Sequence, residues 1–225
     1  MLINFEYLLT NLINHYTIMR KIFILLLAML AASVSMQAGD PTEKQIEKAV
    51  KTKMKDFKKQ KWELYGTAQT LDMVLYNYYK ELYSPGGDIK EVTGLGAESE
   101  NKTILHQKAI MDAARTYSQN TCSQVEVKAE NELKSISKQE IDDFRQLFTS
   151  NVSKQIGGQL KECFSVIRAS KTSPGYYEMQ TFFLLDERKA LDARKEALRA
   201  TFIEGKFKKE MLEPLMEAVS APVMN

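Results

Sequence analysis

Residues 41–60 have hydrophobic positions at helical spacing. One apolar stripe recurs every three or four residues, at Ile46, Val50, Met54 and Phe57. Eight lysines between positions 44 and 61 fall on the other sides of the same stretch. This pattern is typical of an amphipathic helix, which we place over residues 41–60. Asp40, Pro41 and Glu43 supply its start, as a cap acceptor, a first-turn proline and a glutamate that can reach back.

Later stretches alternate between the period of two of a half-buried strand and the period of 3.6 of a helix. Strands are predicted at 62–66, 89–95, 124–130, 162–169 and 176–185. Helices are predicted at 71–83, 101–117, 138–156 and 188–204, and a shorter helix follows Gly205. A turn rich in Ser, Pro and Gly joins the last two strands as an antiparallel hairpin. The order predicts an α+β fold, with a mixed or antiparallel sheet of about five strands and helices packed mainly on one face.

The clearest helix start in the sequence is at Ser137. Ser137 and Glu140 have the spacing of a capping box, in which each side chain bonds the backbone of the other residue. Thr70 is expected to cap the helix that begins at Leu71. Both helix starts are therefore predicted from capping chemistry as well as from hydrophobic spacing.

The helix predicted at 101–117 carries small residues in its apolar stripe. The stripe repeats every four residues, at Leu105, Ala109, Ala113 and Tyr117. Alanines in such a stripe let a helix lie close against a sheet. Gly94-Leu95-Gly96 comes just before this helix, where a phosphate-binding turn would lie, but the third glycine and the later acid of that motif are not evident. A tight turn is the favoured interpretation.

Residues 19–38 have the layout of a secretory signal peptide. Arg20 and Lys21 give a basic start, an apolar segment follows, and small residues lead to the end. The apolar segment is shorter than the about 20 residues of a membrane-spanning helix. Cleavage is expected near Ser35 to Ala38, which predicts a soluble periplasmic or secreted protein. Residues 1–18 lack a basic start and are interpreted as a mis-called upstream start, with an extended signal as the alternative.

The body that remains is predicted to be one domain. Cleavage after Ala38 leaves residues 39–225, a length of 187 residues, enough for a single α+β domain that begins with the basic helix. The removed segment holds Arg20, Lys21 and Glu6, so the formal net charge falls from +2 to +1. So small a charge predicts no general attraction to nucleic acid.

Cys122 and Cys163 are the two cysteines of the chain, and export would take them to an oxidising compartment. Each lies beside a predicted strand. If those strands are neighbours, a disulfide would close a loop of about 40 residues and stabilise the fold by roughly 4 kcal/mol. Two buried free thiols are the equal alternative, because the sequence does not show whether the Cα atoms come within the roughly 7 Å that a disulfide requires.

No catalytic, metal or cofactor constellation is predicted. His106 is the one histidine after residue 38, and an isolated histidine is more often at the surface than in a catalytic site. The acid pairs Asp142 and Asp143, and Asp186 and Glu187, are adjacent in sequence and so point apart on a helix. A solvated helix face explains them better than a general acid and base, so no catalytic, cofactor-binding or metal residue is assigned.

Three surfaces are candidates for a partner. The first is the basic helix, with Lys44, Lys48, Lys51, Lys55, Lys58 and Lys59. It can bind an acidic protein or an anionic membrane surface, although packing of its apolar stripe on its own domain is the commoner arrangement. The second is a tyrosine set, namely Tyr76, Tyr78, Tyr79 and Tyr83. The third is the helix with Leu191 and Leu198 seven residues apart, which can pair with another copy of the chain.

One set of residues carries a resemblance to a known family, namely Trp62, Gly66, Thr67, Thr70, Leu71, Gly94-Leu95-Gly96, Ala109, Ala113, Ala114, Arg115, Tyr117, Thr181, Phe182, Phe183 and the helix 190–199. In these residues the chain resembles an uncharacterised family of exported proteins from gut-type Bacteroidetes. The central strand, the glycines and the alanine-rich helix are also similar to the small surface-lipoprotein domain shared with the amino-terminal domain of flagellar T-ring proteins. This chain lacks their lipidated cysteine. The resemblance implies an envelope or assembly role rather than a reaction.

Export, the lack of a catalytic constellation and the resemblance favour a non-enzymatic cell-envelope protein that acts through protein–protein contacts. The alternative is a periplasmic hydrolase or small-ligand-binding protein that uses carboxylates in a cleft. A cleft in which carboxylates converge with His106 would favour that alternative.

Overall fold

The computed structural model describes residues 43–85, 88–134 and 136–221, and its sheet has four antiparallel strands. These are β1 (Glu63–Tyr65), β2 (Ile89–Ser99), β3 (Lys161–Ala169) and β4 (Tyr177–Asp186). Their order across the sheet is β1-β3-β4-β2. The predicted antiparallel hairpin of β3 and β4 is confirmed, with Ser165 opposite Thr181. The predicted signal peptide at 19–38 and the upstream segment 1–18 lie outside the described residues.

Successive residues of β4 point to opposite faces of the sheet, and both faces are buried. Phe182 and Leu184 belong to one hydrophobic cluster, while Phe183 and Leu185 belong to another. Because side chains alternate along a strand, an uninterrupted apolar run such as this indicates a strand that is covered on both sides. Helices therefore cover both faces of the sheet.

The first face is covered by α1 (Glu43–Gln60) and α2 (Leu71–Leu82). Aromatic rings meet at its centre. Phe164 and Phe182 are stacked with their centroids 4.5 Å apart, and Tyr78 of α2 meets Phe164 edge to face at 5.3 Å. The predicted stripe of α1 buries Ile46, Val50 and Phe57 against this cluster. Full burial of side chains of this size stabilises the fold by about 1.5–3 kcal/mol each.

The second face is covered by a longer helix, α3 (Lys102–Lys128), whose first half lies on the sheet. Leu105 packs there with Ile167 and Met179. The second half of α3 packs with α5 (Lys138–Gly157), α6 (Glu187–Gly205) and α7 (Leu212–Ser220), and a short helix, α4 (Glu130–Leu133), follows α3. Most of the helical residues are therefore on this side, while α1 and α2 cover the other.

The strand predicted at 124–130 is wrong, because these residues continue helix α3 and begin α4. Val125 and Ala129 are buried four residues apart, whereas Val127 is 77% exposed. The alternation of apolar residues in this stretch coincides with the helical repeat of four that starts at Leu105. Among the described residues the sheet consequently has four strands, roughly as many as the five expected, and the α+β class with an antiparallel sheet is confirmed.

The structure confirms the capping box predicted at Ser137 but not the side-chain cap predicted at Thr70. Ser137 and Glu140 form the predicted capping box, with the Ser137 N–H donating to Glu140 Oε2 at 2.9 Å and the Glu140 N–H donating to Ser137 Oγ at 3.2 Å. Thr70 lies at the expected cap position of α2, but its side chain makes no capping hydrogen bond. Helix α3 is capped by Asn101, whose Oδ1 accepts from the Thr103 N–H at 2.9 Å.

Within the described ranges, no helix is both long enough and apolar enough to span a bilayer.

Candidate functional site

All six predicted partner-surface lysines, Lys44, Lys48, Lys51, Lys55, Lys58 and Lys59, are exposed on α1. Their spacings of four and three residues place all of them within an arc of about 100° on the helix, because each residue advances the helix by about 100°. The buried residues Ile46, Val50 and Phe57 lie on the opposite side. We call these six side chains the lysine ridge.

The lysine ridge is sparsely neutralised by its own helix. Among the described residues, Lys51 pairs with Glu47 at 3.5 Å, and the other five ridge lysines have no ion pair within 4.0 Å. Lys53 lies off the ridge, with its Nζ 4.6 Å from the centroid of the Phe182 ring. The ridge is therefore a compact positive surface, although the formal net charge of the whole chain is only +2.

The four tyrosines at the α2 end of the domain are divided between the core and the surface. Tyr78 and Tyr79 are buried, whereas Tyr76 and Tyr83 are half-buried. Tyr78 donates its hydroxyl hydrogen to Glu91 of β2, and burial together with that carboxylate raises the Tyr78 pKa far above its usual range. Burial raises the pKa of Tyr79 to about 12. The tyrosines consequently leave little exposed aromatic surface.

A second surface, the groove between α3 and α5, is larger than the hollows beside α1. Its volume is about 1270 Å³. Small side chains form its floor, among them Ala114, Ser118, Cys122, Thr149 and Ser153. The charges along its rim pair with one another, since Arg145 contacts Glu126 and Asp142 at 2.7 Å each. This groove therefore offers a partner less unpaired charge than the lysine ridge does.

Cys122 is a buried free thiol and Cys163 is a half-buried free thiol, so the structure shows free thiols rather than a disulfide. Cys122 is in α3 and packs in the cluster on the second face of the sheet, whereas Cys163 is in β3 and packs against the cluster on the first face. The strand that the sequence predicted beside Cys122 does not exist. The sheet separates the two side chains, and burial raises the pKa of each thiol to about 11.

This arrangement predicts slow alkylation of the native protein. With a pKa of about 11, roughly one thiol in a thousand is ionised at pH 8, and the thiolate is the reactive form. Iodoacetamide at pH 8 should therefore modify Cys122 and Cys163 far more slowly in the folded protein than in guanidinium chloride, where mass spectrometry should find both modified without a reductant. Modification that requires a reductant would instead indicate a disulfide.

His106, which the sequence treats as an isolated histidine, has a carboxylate partner. Its Nε2 lies 2.8 Å from Glu162 Oε1 and 2.9 Å from Glu162 Oε2. Glu162 is 56 positions away in the sequence and belongs to β3, so only the contact of α3 with the sheet brings the two together. The hydrogen bond pairs a titratable ring with a carboxylate on the second face of the sheet.

The acid pair Asp186 and Glu187 is not the solvated helix face that the sequence suggested. Asp186 caps α6, with its Oδ1 accepting from the Arg188 N–H at 2.9 Å. Glu187 is buried and accepts from Arg194 Nη1 at 2.7 Å. Arg194 is only 1% exposed and also donates to the Tyr117 hydroxyl and to the Val219 carbonyl. Sequence analysis missed this buried network, which ties α3, α6 and α7 together.

Gly94-Leu95-Gly96 is not a turn, because it lies inside the continuous strand β2. A Cβ at Gly94 would be 1.8 Å from the Ala109 carbonyl oxygen, and a Cβ at Gly96 would be 2.1 Å from that of Leu105. The glycines therefore let α3 lie against the sheet, which the alanines of its stripe predicted. Among the residues that the structure describes, no group of three or more His, Cys, Asp or Glu side chains is placed to hold a metal ion.

The fold and these surfaces define an α+β protein with an exposed lysine ridge on its first helix and a buried ionic network in its helical layer. A comparison with known proteins found no matching family model, no matching curated protein and no matching solved structure.

Proposed function

We propose that this is an exported cell-envelope protein without enzymatic activity that works by binding a protein partner, and that the lysine ridge of α1 binds an acidic surface of that partner. The observation that carries the proposal is the placement of six exposed lysines within one arc of α1, opposite its buried stripe. The signal-peptide layout of residues 19–38 supports the envelope location.

A protein partner is favoured over a membrane surface by the position of the apolar stripe. An interfacial helix binds lipid by burying its apolar face among the acyl chains, with help from basic residues. Here Ile46, Val50 and Phe57 are already buried in the domain. The ridge can therefore contribute electrostatic attraction but no insertion, which suits an acidic protein surface.

The expected strength of the contact follows from the number of lysines. An exposed ion pair contributes about 0.2–1 kcal/mol, and such pairs are screened by salt with a Debye length of about 8 Å at physiological ionic strength. Six pairs together contribute enough to change affinity by at least about ten-fold. Binding through the ridge should accordingly weaken as salt is raised.

The test changes all six ridge lysines to glutamine, as K44Q/K48Q/K51Q/K55Q/K58Q/K59Q. Chemical crosslinking in intact envelopes, followed by affinity purification and mass spectrometry, should capture a reproducible partner with the wild-type protein. The yield of captured partner should fall by at least about ten-fold in the six-lysine variant, because the electrostatic contribution to binding is removed. The crosslinked peptides of the partner should be rich in Asp and Glu.

The matched control removes the same charge from six exposed lysines outside α1, as K128Q/K138Q/K154Q/K171Q/K189Q/K208Q. It should capture the partner as well as the wild type does. Equal loss in both variants, or no reproducible partner, would contradict the proposal. A different result would assign the ridge to a membrane surface. In that case the wild type and the control variant would float with anionic vesicles, and the ridge variant would not.

A further inference from the structure

A polar cleft lies at the edge of the sheet beyond the end of β1, and its lining includes Val74 and Phe164 of the first-face cluster as well as His106 and Glu162. Its volume is about 510 Å³, within the usual range for a small-molecule site. The loop after β1, the first turns of α3 and the start of β3 form its walls. Strand β1 pairs with β3 only at residues 165–167, so the first residues of β3 lie beside the cleft without a strand on that side.

A bulge in β3 places the side chains of Glu162 and Ser165 on the same face of the sheet. Glu162 pairs with Phe183, and Phe164 pairs with Phe182, so Cys163 is an extra residue between them. The extra residue places Glu162 on the face of Ser165, although the two are three positions apart. The Ser165 hydroxyl donates to Glu162 Oε1 at 3.4 Å.

Hydrogen bonds continue from the cleft into the core. His106 bonds Glu162, Glu162 accepts from Ser165, and Ser165 shares a hydrogen bond of 2.9 Å with Thr181. Ser165 and Thr181 are buried among apolar side chains. Buried hydroxyls add less to a core than apolar groups do, but here they fix the carboxylate that holds His106. Because an ionised carboxylate only accepts, the hydrogen bond to Glu162 requires the proton on Nε2 of His106.

The lining mixes hydrogen-bond donors and acceptors without a net charge. The polar groups include the side chains of Thr67, Gln69, Thr103, His106, Glu162 and Ser165. Among the lining residues that the structure describes, the ammonium of Lys102 balances the carboxylate of Glu162. Lys102 lies over two aromatic rings, with its Nζ 5.7 Å from the Tyr65 centroid and 5.1 Å from the Tyr177 centroid.

We propose that this cleft binds a neutral, hydroxyl-rich ligand of the saccharide class. Sugar hydroxyls both donate and accept, which matches the mixed lining. The balanced charge selects neither an anion nor a cation. Glycoside hydrolysis ordinarily uses two carboxylates flanking the bond, whereas Glu162 is the one carboxylate of the described residues that lines this cleft. The cleft therefore binds the saccharide without cleaving it.

The test uses the chain expected after signal-peptide cleavage, residues 39–225. A panel of glucose, galactose, mannose, N-acetylglucosamine, maltose and chitobiose is added at about 10 mM, which would saturate a site with a millimolar Kd. Glycine, acetate and inorganic phosphate serve as charged comparators. The readout is the NMR signal of the His106 ring. This signal is unambiguous because His106 is the only histidine in a chain that lacks residues 1–38.

At least one neutral saccharide should shift the His106 signal, and Glu162→Gln should raise its Kd by about ten-fold because a hydrogen bond to a charged group is lost. Glu196→Gln, which changes an exposed ion-paired glutamate on α6, should leave the Kd unchanged. The six-lysine ridge variant should also bind as the wild type does, so this proposal stands or falls separately from the partner proposal.

Three results would each overturn the proposal. They are a panel in which no saccharide shifts the His106 signal, a saccharide Kd that Glu162→Gln leaves unaltered, and tighter binding of glycine, acetate or phosphate than of any sugar.

Discussion

Gly94→Ala should lower the free energy of unfolding by about 3 kcal/mol, at the upper end of the range for overpacked sites. The added Cβ would lie 1.8 Å from the Ala109 carbonyl oxygen and 2.9 Å from the Ala113 nitrogen, both of them backbone atoms of α3. A helix backbone cannot rotate away as a side chain can, so α3 must move off the sheet. Urea unfolding followed by circular dichroism should show the lowered midpoint, and Gly96→Ala should act in the same direction.

The control for this prediction is Gly157→Ala at the end of α5. No atom lies within 4 Å of a Cβ at Gly157, and its φ is not positive. This change should leave stability unaltered or raise it by up to about 1 kcal/mol, because alanine loses less conformational entropy than glycine on folding. Equal stability of Gly94→Ala and the wild type would show that α3 does not lie as close to β2 as the structure places it.

Arg194→Leu should cost about 3–5 kcal/mol of unfolding free energy, the usual effect of removing one partner of a buried ion pair. The change deprives Glu187, Tyr117 and the Val219 carbonyl of a donor in the interior. The buried Glu187 charge would then lose the guanidinium that lies 2.7 Å away, and the Lys90 ammonium lies farther off, at 3.8 Å. Thermal or urea unfolding of the purified variant measures the loss.

Arg199→Leu is the matched control, because Arg199 lies on the same helix and pairs with Glu196 at the surface. It should change stability by no more than about 0.5 kcal/mol. The double variant Glu187→Leu/Arg194→Leu should lose less than the sum of the two single variants, since no charge is left buried alone. Additive losses would contradict the coupling of the two side chains.

The sequence predicted that the six lysines of the ridge are exposed. Lysines at spacings of three and four, opposite an apolar stripe, must lie on the exposed side of any helix that packs on its own domain. The six lysines of α1 are all exposed for this reason. The cleft was not predictable in the same way, because His106 and Glu162 are far apart in the sequence and a bulge at Cys163 directs Glu162 toward His106.

The hydrophobic pattern led to a wrong prediction where the strand period of two coincides with a helical repeat of four. Residues 124–130 alternate like a strand, yet Val125 and Ala129 also continue the repeat of four that begins at Leu105. The absence of glycine and proline between Gly96 and Gly157 was the signal for a longer helix. The loss of this strand also removed the basis for a disulfide from Cys122.

By itself, the sequence determined the α+β class, the β3–β4 hairpin, the capping box at Ser137 and the exposed face of α1, because each depends on residues within about one turn or one strand of each other. Only the tertiary structure decided that helices cover both faces, that the two cysteines lie on opposite sides of the sheet, and that Glu187 and Arg194 are buried together. Those features depend on which distant segments come into contact. Local spacing does not encode such contacts, because a charged residue shows the same pattern whether it faces water or a buried partner.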